Sequence, residues 1–450
     1  MLYGFLKILL RTTLLVFFRN KQVKGVENIP AEGPLLLVAN HPSTFMDPIV
    51  IAASIKREVF FLGKAEIFKS SLAKWFLPKF NIIPVYRAQD DPTQLHKNKE
   101  TFSKCFEHLK KGGVILIFPE GISLTERKLK KIKTGAARIA LGAEAANDFK
   151  LDVKIISFGL NYADPHRFQS DLLINIDEGI NVIDYKEKYN EDTFKAAHEL
   201  TDEIRLRLER QVVAIEDAEV DKLVKNIEII YKSQLISDLG YSVKIKEHDF
   251  LVTRAISEQV HYFFEKEPKR VNKIKIDIDT YFTDLEKLEL NDRMLKKFSR
   301  NGSIILNSIF SVLYLILGLP FFLFGFSNNY LPFKIPNWVS RKITKSAEFH
   351  GAITMVVGIF TFIIFYSIQL WLVQHYLHNL WITLCYLIAL PLSGFFAFFY
   401  WKRFTNLRGR WMIFSLFYKR TNLITSLISM RQQIIDELEK GRKEYSEKIV

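Results

Sequence analysis

The sequence predicts an α/β fold with a mainly parallel sheet flanked by helices, followed by a helical accessory region and a C-terminal transmembrane region. Between residues 24 and 170, short apolar runs alternate with helix-like stretches, which is typical of a parallel sheet. A charge-rich part with helical spacing of its apolar residues then extends to about residue 300. Three uncharged apolar stretches follow, each long enough to cross a hydrocarbon core of about 30 Å.

The composition fits a soluble part joined to a membrane part. The 450 residues are too many for one ordinary core and predict two or three domains. Hydrophobic residues make up 48% of the chain beside 25% charged residues. Lys and Arg outnumber Asp and Glu by 63 to 49, which predicts an anionic partner such as membrane phospholipid or a phosphorylated substrate. No nucleic-acid partner is expected, because long apolar runs accompany the positive charge.

The two cysteines do not suggest a disulfide. Cys105 lies in the charged half of the chain and Cys385 inside an apolar run. No group of Cys and His residues has the spacing of metal ligands, so we expect neither structural zinc nor a catalytic metal.

The first 19 residues are apolar, interrupted by Lys7 and Arg11, and no small-residue cleavage site follows them. We therefore predict an uncleaved helix over residues 1–19 that lies in the membrane interface. An ordinary amphipathic core helix is the alternative.

The region 20–215 is predicted to form the α/β domain. Its strands are expected where short apolar runs are bounded by turn or polar residues. These runs cover residues 35–39, 59–62, 82–86, 114–118 and 153–158. Helices are expected over 91–109 and 133–146, between the runs.

The region 216–300 is predicted to be a helical accessory region, because it is charged and has few Gly or Pro. Helices are expected over 194–213, at the end of the α/β domain, and over 220–239. The sequence assigns this region no chemistry.

The membrane region is predicted to cover residues 301–403, with apolar stretches at 304–327, 351–373 and 377–401. Lys and Arg flank every end except the link between the second and third stretches, which places that link outside and the other flanks in the cytoplasm. The first stretch would then have both ends on one side, so we predict a re-entrant element broken at Gly318-Leu-Pro320. Three full spans are the alternative. Residues 404–450 are predicted to form a basic amphipathic helical tail at the membrane surface.

The segment from Val38 to Pro48 is the richest in chemistry. It follows a predicted strand, and ligand sites of open α/β sheets gather at the carboxyl ends of strands. His41 can accept a proton near neutral pH, and Asp47 can orient it. Six positions on an ideal helix rotate the chain by about 600°, so the two side chains meet only if His41 lies in a turn before the helix. Pro42 favours a first helical turn. Loop and cap roles are the alternative for an isolated pair.

Three further clusters favour a site for a phosphorylated ligand. Two of them follow predicted strands, and the third precedes a predicted helix. The alternative for the first is a surface arginine, for the second a tight turn, and for the third a solvated basic face. Arg87 can bind phosphate through two parallel hydrogen bonds. In the turn after residue 118, Glu120 can orient an arginine or the substrate, Gly121 allows close approach and Ser123 can donate to an oxygen. Lysines that include Lys130 and Lys133 precede the helix expected at 133–146, where an anion is favoured.

In this order and spacing, the segments resemble the glycerol-3-phosphate and lysophosphatidate acyltransferase superfamily over about residues 20–215. The motifs that carry the resemblance are Asn40-His41 with Asp47, Ile83-Pro-Val-Tyr-Arg87, Phe118-Pro-Glu-Gly-Ile-Ser123 and Ile155-Ile-Ser-Phe-Gly-Leu-Asn-Tyr162. The lead-in from Val23 to Pro34 is similar as well. The resemblance implies the glycerolipid acyltransferase fold.

The sequence departs from the family pattern at three places. Five residues separate His41 from Asp47 where the family usually has four, and a fungal dual-substrate glycerol-3-phosphate/dihydroxyacetone-phosphate subset with apolar spans shares this spacing. Ser123 replaces an arginine whose charge Lys130, Lys131 or Lys133 could supply. The Pro of the last motif is absent. These departures bear on acceptor identity more than on reaction type.

The resemblance implies a membrane-bound O-acyltransferase of phospholipid biosynthesis. His41 would be the base and Asp47 its orienter, while Arg87 and the turn from Glu120 to Ser123 would hold the acceptor phosphate. The donor would be acyl-CoA or acyl-carrier protein, without a further cofactor. The acceptor would be glycerol-3-phosphate or a related phosphoglycerol, or alternatively 1-acylglycerol-3-phosphate.

Two other function classes remain as alternatives: an inactive lipid-binding membrane scaffold and a thioesterase. The presence of both His41 and Asp47 argues against the scaffold. Arg87 argues against the thioesterase, because water needs no phosphate clamp. The chain is expected to be an integral membrane protein with its catalytic domain on the cytoplasmic face.

Overall fold

A computed structural model of the chain describes residues 2–87, 89–242, 244–300, 304–419 and 421–449. The chain divides into two compact units, one formed by Met1–Glu216 with Ser340–Met355 and the other by Asp217–Val339 with Val356–Val450. The predicted division did not foresee that residues 340–355 belong with the α/β domain. The predicted boundary at residue 301 and the predicted chain end of the tail at 450 lie outside the described residues.

The first unit contains one mixed sheet, with eight strands in its described part. The strands are β1 (Phe18–Lys24), β2 (Leu35–Ala39), β3 (Phe60–Lys64), β4 (Ile82–Val85), β5 (Val114–Ile117), β6 (Lys154–Tyr162), β7 (Ser170–Ile176) and β8 (Ile180–Asn181). Their order is β1-β7-β6-β2-β5-β3-β4, with β8 beside β6. Five neighbours, from β6 to β4, run parallel, while β7 runs antiparallel to β6. The predicted mainly parallel sheet is confirmed.

The helices of the first unit cover both faces of this sheet. They are α1 (Leu2–Phe17), α2 (Met46–Ser54), α3 (Ser71–Phe76), α4 (Asn98–Lys110), α5 (Gly135–Ala145), α6 (Lys186–Glu191) and α7 (Thr193–Gln211). Side chains alternate along β2, so that Leu35 and Leu37 pack with α1 and α2 on one face. Leu36 packs with α4, α5 and α7 on the other. Burial on both faces explains why β2 is a continuous apolar run.

The N-terminal helix is shorter than predicted. It ends at Phe17, and residues 18 and 19 begin β1, whose backbone pairs with β7. Leu14 and Phe17 are buried in the core of the domain, whereas Phe5 and Ile8 remain exposed. The helix therefore combines a core face with an outward apolar face, which suits a membrane interface.

Strands β1, β7 and β8 were not predicted from the sequence. Strand β7 contains Asp171 and Asn175, and β1 contains Arg19 and Lys21, so neither reads as an apolar run. The Asp171 carboxylate accepts hydrogen bonds from Arg19. Polar pairs of this kind hold the two strands together at the sheet edge, and only the fold reveals them.

The second unit is helical in its described part. Its helices are α8 (Ala218–Ile227), α9 (Ser233–Asp238), α10 (Lys246–Lys266), α11 (Pro268–Lys287), α12 (Asp292–Arg300), α13 (Ile304–Ile343), α14 (His350–Leu377), α15 (Leu380–Lys419) and α16 (Thr421–Ile449). The ends of α13 and α14 that face each other in sequence belong to the first unit. A π-helical turn, Glu228–Lys232, separates α8 from α9, where one helix over 220–239 was predicted.

In the part of the chain that the structure describes, three helices are long and apolar enough to cross a membrane: Ile309–Ile343, Ala347–Leu377 and Leu380–Gly409. The break predicted at Gly318-Leu-Pro320 is wrong, because α13 continues through Pro320 to Ile343. Asn329 on α13 accepts a hydrogen bond from Tyr366 on α14 at 2.6 Å and donates to the Leu390 carbonyl on α15 at 3.2 Å. These polar contacts tie the three helices together.

The tail also differs from the prediction. Residues 404–419 continue α15, and α16 packs into the accessory helices through Ile424, Ile434 and Ile435. The Arg431 guanidinium binds the buried Asp292 carboxylate at 2.7 Å. This helix is therefore part of a packed helical unit, because its apolar stripe and an ion pair both face the unit's own residues.

Candidate active site

The predicted site residues gather at one edge of the sheet. The five parallel strands end there side by side, because parallel strands carry their carboxyl ends to the same edge. Read along the edge in strand order, the residues at or just after the strand ends are Tyr162, His41, Glu120, Lys64 and Arg87. Topology thus brings together residues that are up to 121 positions apart.

His41 and Asp47 form a direct pair. Asp47 Oδ2 lies 2.8 Å from His41 Nδ1, and the Asp47 side chain is completely buried while that of His41 is 16% exposed. Helix α2 begins at Met46, so His41 lies in the preceding turn as the spacing required. Pro42 does not start the helix as predicted, because it lies in the loop four residues earlier.

The Asp47 carboxylate has two further donors. The Ser43 backbone N–H donates to Oδ2 at 2.8 Å, and the Tyr162 hydroxyl donates to Oδ1 at 2.8 Å. Burial and the neighbouring Asp47 carboxylate raise the pKa of Tyr162 well above its ordinary value, so Tyr162 remains a donor. Three donors on one buried carboxylate fix its position and keep it able to orient His41.

The His41 ring is also fixed from its face. It stacks on Phe118 with ring centroids 3.9 Å apart and an interplanar angle of 13°. With Nδ1 bound to Asp47, Nε2 is the nitrogen available to a substrate proton.

Asn40 acts in the scaffold. Its side chain donates to the Leu160 carbonyl at 3.1 Å and accepts from the Leu160 N–H at 2.7 Å. This side-chain amide prolongs the pairing of β2 with β6 beyond Ala39, and so anchors the start of the loop from His41 to Met46.

Glu120 bridges two loops. Its carboxylate oxygens accept from the backbone N–H groups of His41 and Lys130, each at 2.9 Å. Burial raises the pKa of Glu120, and these two hydrogen bonds oppose the shift. Glu120 therefore binds the backbone at His41 and Lys130 where a contact with an arginine was one expectation, and its contact with the substrate stays a prediction.

Ser123 also supports the loop from His41 to Met46. Its hydroxyl oxygen accepts from the Thr44 N–H at 2.8 Å. Thr44 has a left-handed backbone with φ of 28°, which is unusual for a β-branched residue. The predicted contact of Ser123 with a substrate oxygen stays a prediction.

Arg87 is held beside Gly121 by two partners. Its Nε and Nη2 donate to the two Asp90 carboxylate oxygens at 2.6 and 2.8 Å, and Nη1 donates to the Gly121 carbonyl. The hydrogen bonds from Arg87 lower the pKa of Asp90, and the nearby charges of Lys64 and Lys133 lower it further. Asp90 thus occupies the guanidinium fork that a phosphate could use.

Lys133 supplies a second cation at Gly121. A Cβ at Gly121, where φ is +70°, would lie 2.8 Å from Lys133 Nζ. Burial and the Arg87 charge lower the pKa of Lys133, and its ammonium donates to Gln89 at 2.7 Å. Lys130 points elsewhere and pairs with Glu126 at 2.7 Å. Lys133 lies closer to Gly121 than Lys130 does, and is therefore better placed to supply the charge of the missing family arginine.

Two contacts of the site were not predicted from the sequence. Tyr162 binds Asp47, and Asp90 binds Arg87. A signal for Tyr162 existed, since it ends a strand that carries a family-like motif. Asp90 gave no such signal, because one exposed acidic residue in a loop is common. Within the described residues, no group of three His, Cys, Asp or Glu side chains is placed to hold a metal ion.

The chain is similar in sequence to known acyltransferases. Residues 20–160 match the family model described as Acyltransferase. This domain belongs to the acyltransferase family. The chain is 24% identical to glycerol-3-phosphate O-acyltransferase 1 of Saccharomyces cerevisiae over 71% of its own length and 53% of the relative's. It is 31% identical to a chloroplastic 1-acyl-sn-glycerol-3-phosphate acyltransferase of Arabidopsis thaliana over 27% of its own length and 33% of the relative's.

The acyltransferase domain also has a match among solved structures. The crystal structure of the 1-acyl-sn-glycerophosphate acyltransferase from Thermotoga maritima matches 47% of this chain and 80% of its own, with 19% identity and a TM-score of 0.33. The present chain spans about half the length of the yeast relative and a third of the plant relative.

Proposed function

We propose that the chain is a membrane-bound O-acyltransferase that moves a fatty acyl group from a thioester to a hydroxyl of glycerol-3-phosphate or a related phosphoglycerol acceptor. The single observation that carries this proposal is the buried Asp47 bound to His41 Nδ1 at 2.8 Å, beside the Arg87 and Lys133 cations at Gly121. A base and a phosphate-binding group at one sheet edge suit a phosphorylated alcohol.

In the proposed reaction, His41 Nε2 takes the proton of the acceptor hydroxyl as its oxygen attacks the thioester carbonyl carbon. The C–S bond then breaks, and the thiol leaves with the proton that His41 returns. Asp47 stabilises the imidazolium between these two transfers. The thioester is already activated, so no covalent acyl-enzyme and no cofactor are needed, and either acyl-CoA or acyl-carrier protein can be the donor.

The acceptor phosphate is proposed to bind Arg87 and Lys133 at Gly121. Arg87 offers planar N–H donors and Lys133 a mobile ammonium. Glu120 links Gly121 to the His41 backbone, so a phosphate held at Gly121 would have its hydroxyl located relative to His41.

Glycerol-3-phosphate is the preferred acceptor in this proposal, and dihydroxyacetone phosphate is a related one. The similarity to the yeast glycerol-3-phosphate O-acyltransferase extends over 71% of the chain, whereas that to the plant 1-acyl-sn-glycerol-3-phosphate acyltransferase covers 27%. The five-residue gap between His41 and Asp47 favours the same acceptor by resemblance. 1-Acylglycerol-3-phosphate is the alternative.

The proposed location is an integral membrane protein with the acyltransferase domain on the cytoplasmic face. The three apolar helices support membrane association, and the basic residues at their flanks support this orientation. The exposed apolar side chains of α1 would rest in the interface, where the acyl chain of the donor partitions.

The test is an assay of membranes with one labelled acyl-CoA and each of the three acceptors in turn. His41→Ala should abolish transfer while membrane protein levels stay unchanged. The matched control is His198→Ala, because His198 is exposed on α7 and should retain full activity. Transfer by His41→Ala at the wild-type rate would overturn the mechanism.

The same assay separates the other classes. An inactive lipid-binding scaffold would transfer no acyl group to any acceptor, whereas a thioesterase would release labelled fatty acid without an acceptor. Either result would overturn the proposed function.

A further inference from the structure

Residues 340–355 connect the first two apolar helices and include one end of each, yet they are part of the first unit. The segment contains the end of α13, the 3-10 turn Ala347–Phe349 and the start of α14. Ala352 and Met355 are 2% and 3% exposed and belong to the core cluster on the α1 and α2 face of the sheet. The acyltransferase domain is therefore completed by a piece of chain from the apolar region.

This segment has its own internal hydrogen bonds. His350 Nε2 lies 3.0 Å from the Thr344 carbonyl, and the Ser340 hydroxyl donates to the His350 carbonyl at 3.3 Å. These bonds close the turn between the two helices, so that it presents a defined surface.

That surface contacts the loop between His41 and Asp47. The Thr44 hydroxyl lies 3.2 Å from the Glu348 carbonyl oxygen, to which it donates. The Ser43 hydroxyl lies 3.5 Å from the same oxygen. The Phe349 ring meets the Phe45 ring edge to face, with centroids 5.6 Å apart. Three consecutive loop residues thus face the segment.

Thr44 is the position where this contact matters most. It lies inside the five-residue gap, and its φ of 28° is a strained conformation that persists only when its surroundings hold it. The Thr44 N–H is held by Ser123 at 2.8 Å, and the Thr44 hydroxyl lies 3.2 Å from both the Ser123 hydroxyl and the Glu348 carbonyl oxygen. One support comes from the α/β core and the other from the segment.

A second route links the segment to the loop. A Cβ at Gly351 would lie 2.3 Å from the Pro165 carbonyl oxygen, so only glycine permits this close approach. Next to Pro165, His166 Nε2 lies 3.2 Å from the Thr125 hydroxyl, which donates to the Pro42 carbonyl at 3.0 Å. Both routes end within six residues of His41.

We propose that residues 344–352 are a positioning element for the loop from His41 to Met46. They hold the five-residue gap between His41 and Asp47 in its active conformation. The inference rests on the proposed acyltransferase function for its kinetic consequence. Its structural consequence is independent of that function: loosening the segment should loosen residues 42–46.

The test compares two alanine variants of one helix in the full chain in membranes. Gly351→Ala places a Cβ against the Pro165 carbonyl at 2.3 Å, whereas Gly358→Ala meets nothing nearer than Pro336 at 3.9 Å. Both add one methyl group to α14, so the chemical change is the same in the two variants. Amide hydrogen exchange of residues 43–46 and the kinetics of acyl transfer are measured for each.

Gly351→Ala should speed amide exchange of residues 43–46 and lower kcat about 10- to 100-fold, since a small misplacement of a catalytic group has an effect of this size. KM for the acceptor should stay unchanged, because Arg87 and Lys133 are held by Asp90, Gly121 and Gln89. Gly358→Ala should match the wild type in both measurements. Equal exchange and equal kcat in the two variants would overturn the proposal, as would faster exchange with normal kcat.

A second pair of variants tests the Thr44 hydroxyl without changing the segment. Thr44→Val removes the hydroxyl that contacts Glu348 and Ser123 and should lower kcat, whereas Thr44→Ser keeps the hydroxyl and should retain the wild-type kcat. Loss of kcat in both variants to the same extent would contradict the role of the hydroxyl. If the wild type transferred no acyl group, the proposed function would fail, while the exchange comparison would still decide whether the segment holds the loop.

Discussion

Tyr162 donates its hydroxyl proton to Asp47 Oδ1 at 2.8 Å, on the carboxylate oxygen that does not bind His41. The candidate base is therefore the end of a chain of three side chains, from Tyr162 through Asp47 to His41. Two neighbouring strands supply this chain, because Tyr162 ends β6 and His41 follows β2.

Tyr162→Phe should lower kcat about tenfold, because a buried acceptor left without its donor costs about 1–3 kcal/mol. The acidic limb of the pH–rate profile should also move, since Asp47 would no longer share its charge with a donor. KM for the phosphate acceptor should not change. Steady-state kinetics between pH 5 and 9 (about the range where His chemistry is read) would measure both effects.

Tyr189→Phe is the matched control for this variant, because Tyr189 packs against Phe149 on the other side of the sheet. It should leave kcat and the pH profile as in the wild type. A Tyr162→Phe enzyme with a normal rate and a normal acidic limb would show that Asp47 needs no second side-chain donor.

Asp90→Asn should lower KM for the phosphorylated acceptor. The Asp90 carboxylate binds the Arg87 fork through both oxygens, so a phosphate competes with it for the same N–H groups. An ion pair with partial exposure is worth up to about 1 kcal/mol, which limits the decrease in KM to about fivefold. Initial rates against acceptor concentration would measure it, and kcat should stay the same.

Asp148→Asn is the control for Asp90→Asn, because Asp148 pairs only loosely with Lys150 at 3.7 Å and is largely exposed. It should not affect KM. An increase in KM on Asp90→Asn would instead mean that Asp90 orients Arg87 for the substrate and does not compete with it.

The stability of the acyltransferase domain should depend on pH through Glu120. Burial raises the pKa of Glu120 above its ordinary value of 4.5. A group whose pKa is higher in the folded state contributes stability that is complete below the unfolded value and is lost as pH rises through the folded value. Stability should therefore decline from pH 4.5 upward through the raised pKa.

Glu120→Gln should lack this component, because an amide does not titrate in that range. It should also lower kcat, since the amide nitrogen cannot accept from one of the two backbone N–H groups that Glu120 now binds. Thermal unfolding of the full chain at several pH values would compare the slopes, with Glu107→Gln, an exposed site on α4, as the control. Identical slopes for wild type and Glu120→Gln would exclude Glu120 as the titrating group.

Much of the fold could be predicted from local pattern. The central parallel strands β2 and β5 are largely buried on both faces and therefore read as continuous apolar runs. Strands β1, at the sheet edge, and β7, next to it, were missed because polar residues interrupt their apolar pattern and polar pairs such as Arg19 with Asp171 join them. An apolar pattern cannot report contacts of that kind.

The break predicted at Pro320 failed for a related reason. Proline removes one backbone donor and disfavours an ideal helix, but packing between apolar helices can keep the helix continuous. The packing of the tail was not foreseen because its basic residues were visible in the sequence, whereas acidic partners, such as Asp292 for Arg431, lie far away along the chain.

The sequence by itself determined the residue types of the site and their order behind successive strands, since chemistry and strand periodicity are both local properties. It required His41 to lie in a turn before a helix that carries Asp47, because six helical positions separate their side chains. The tertiary structure decided which groups complete that pair. Tyr162, Glu120, Ser123 and residues 344–352 reach the His41 loop only because the sheet order and the packing of a segment from the apolar region bring distant parts of the chain together.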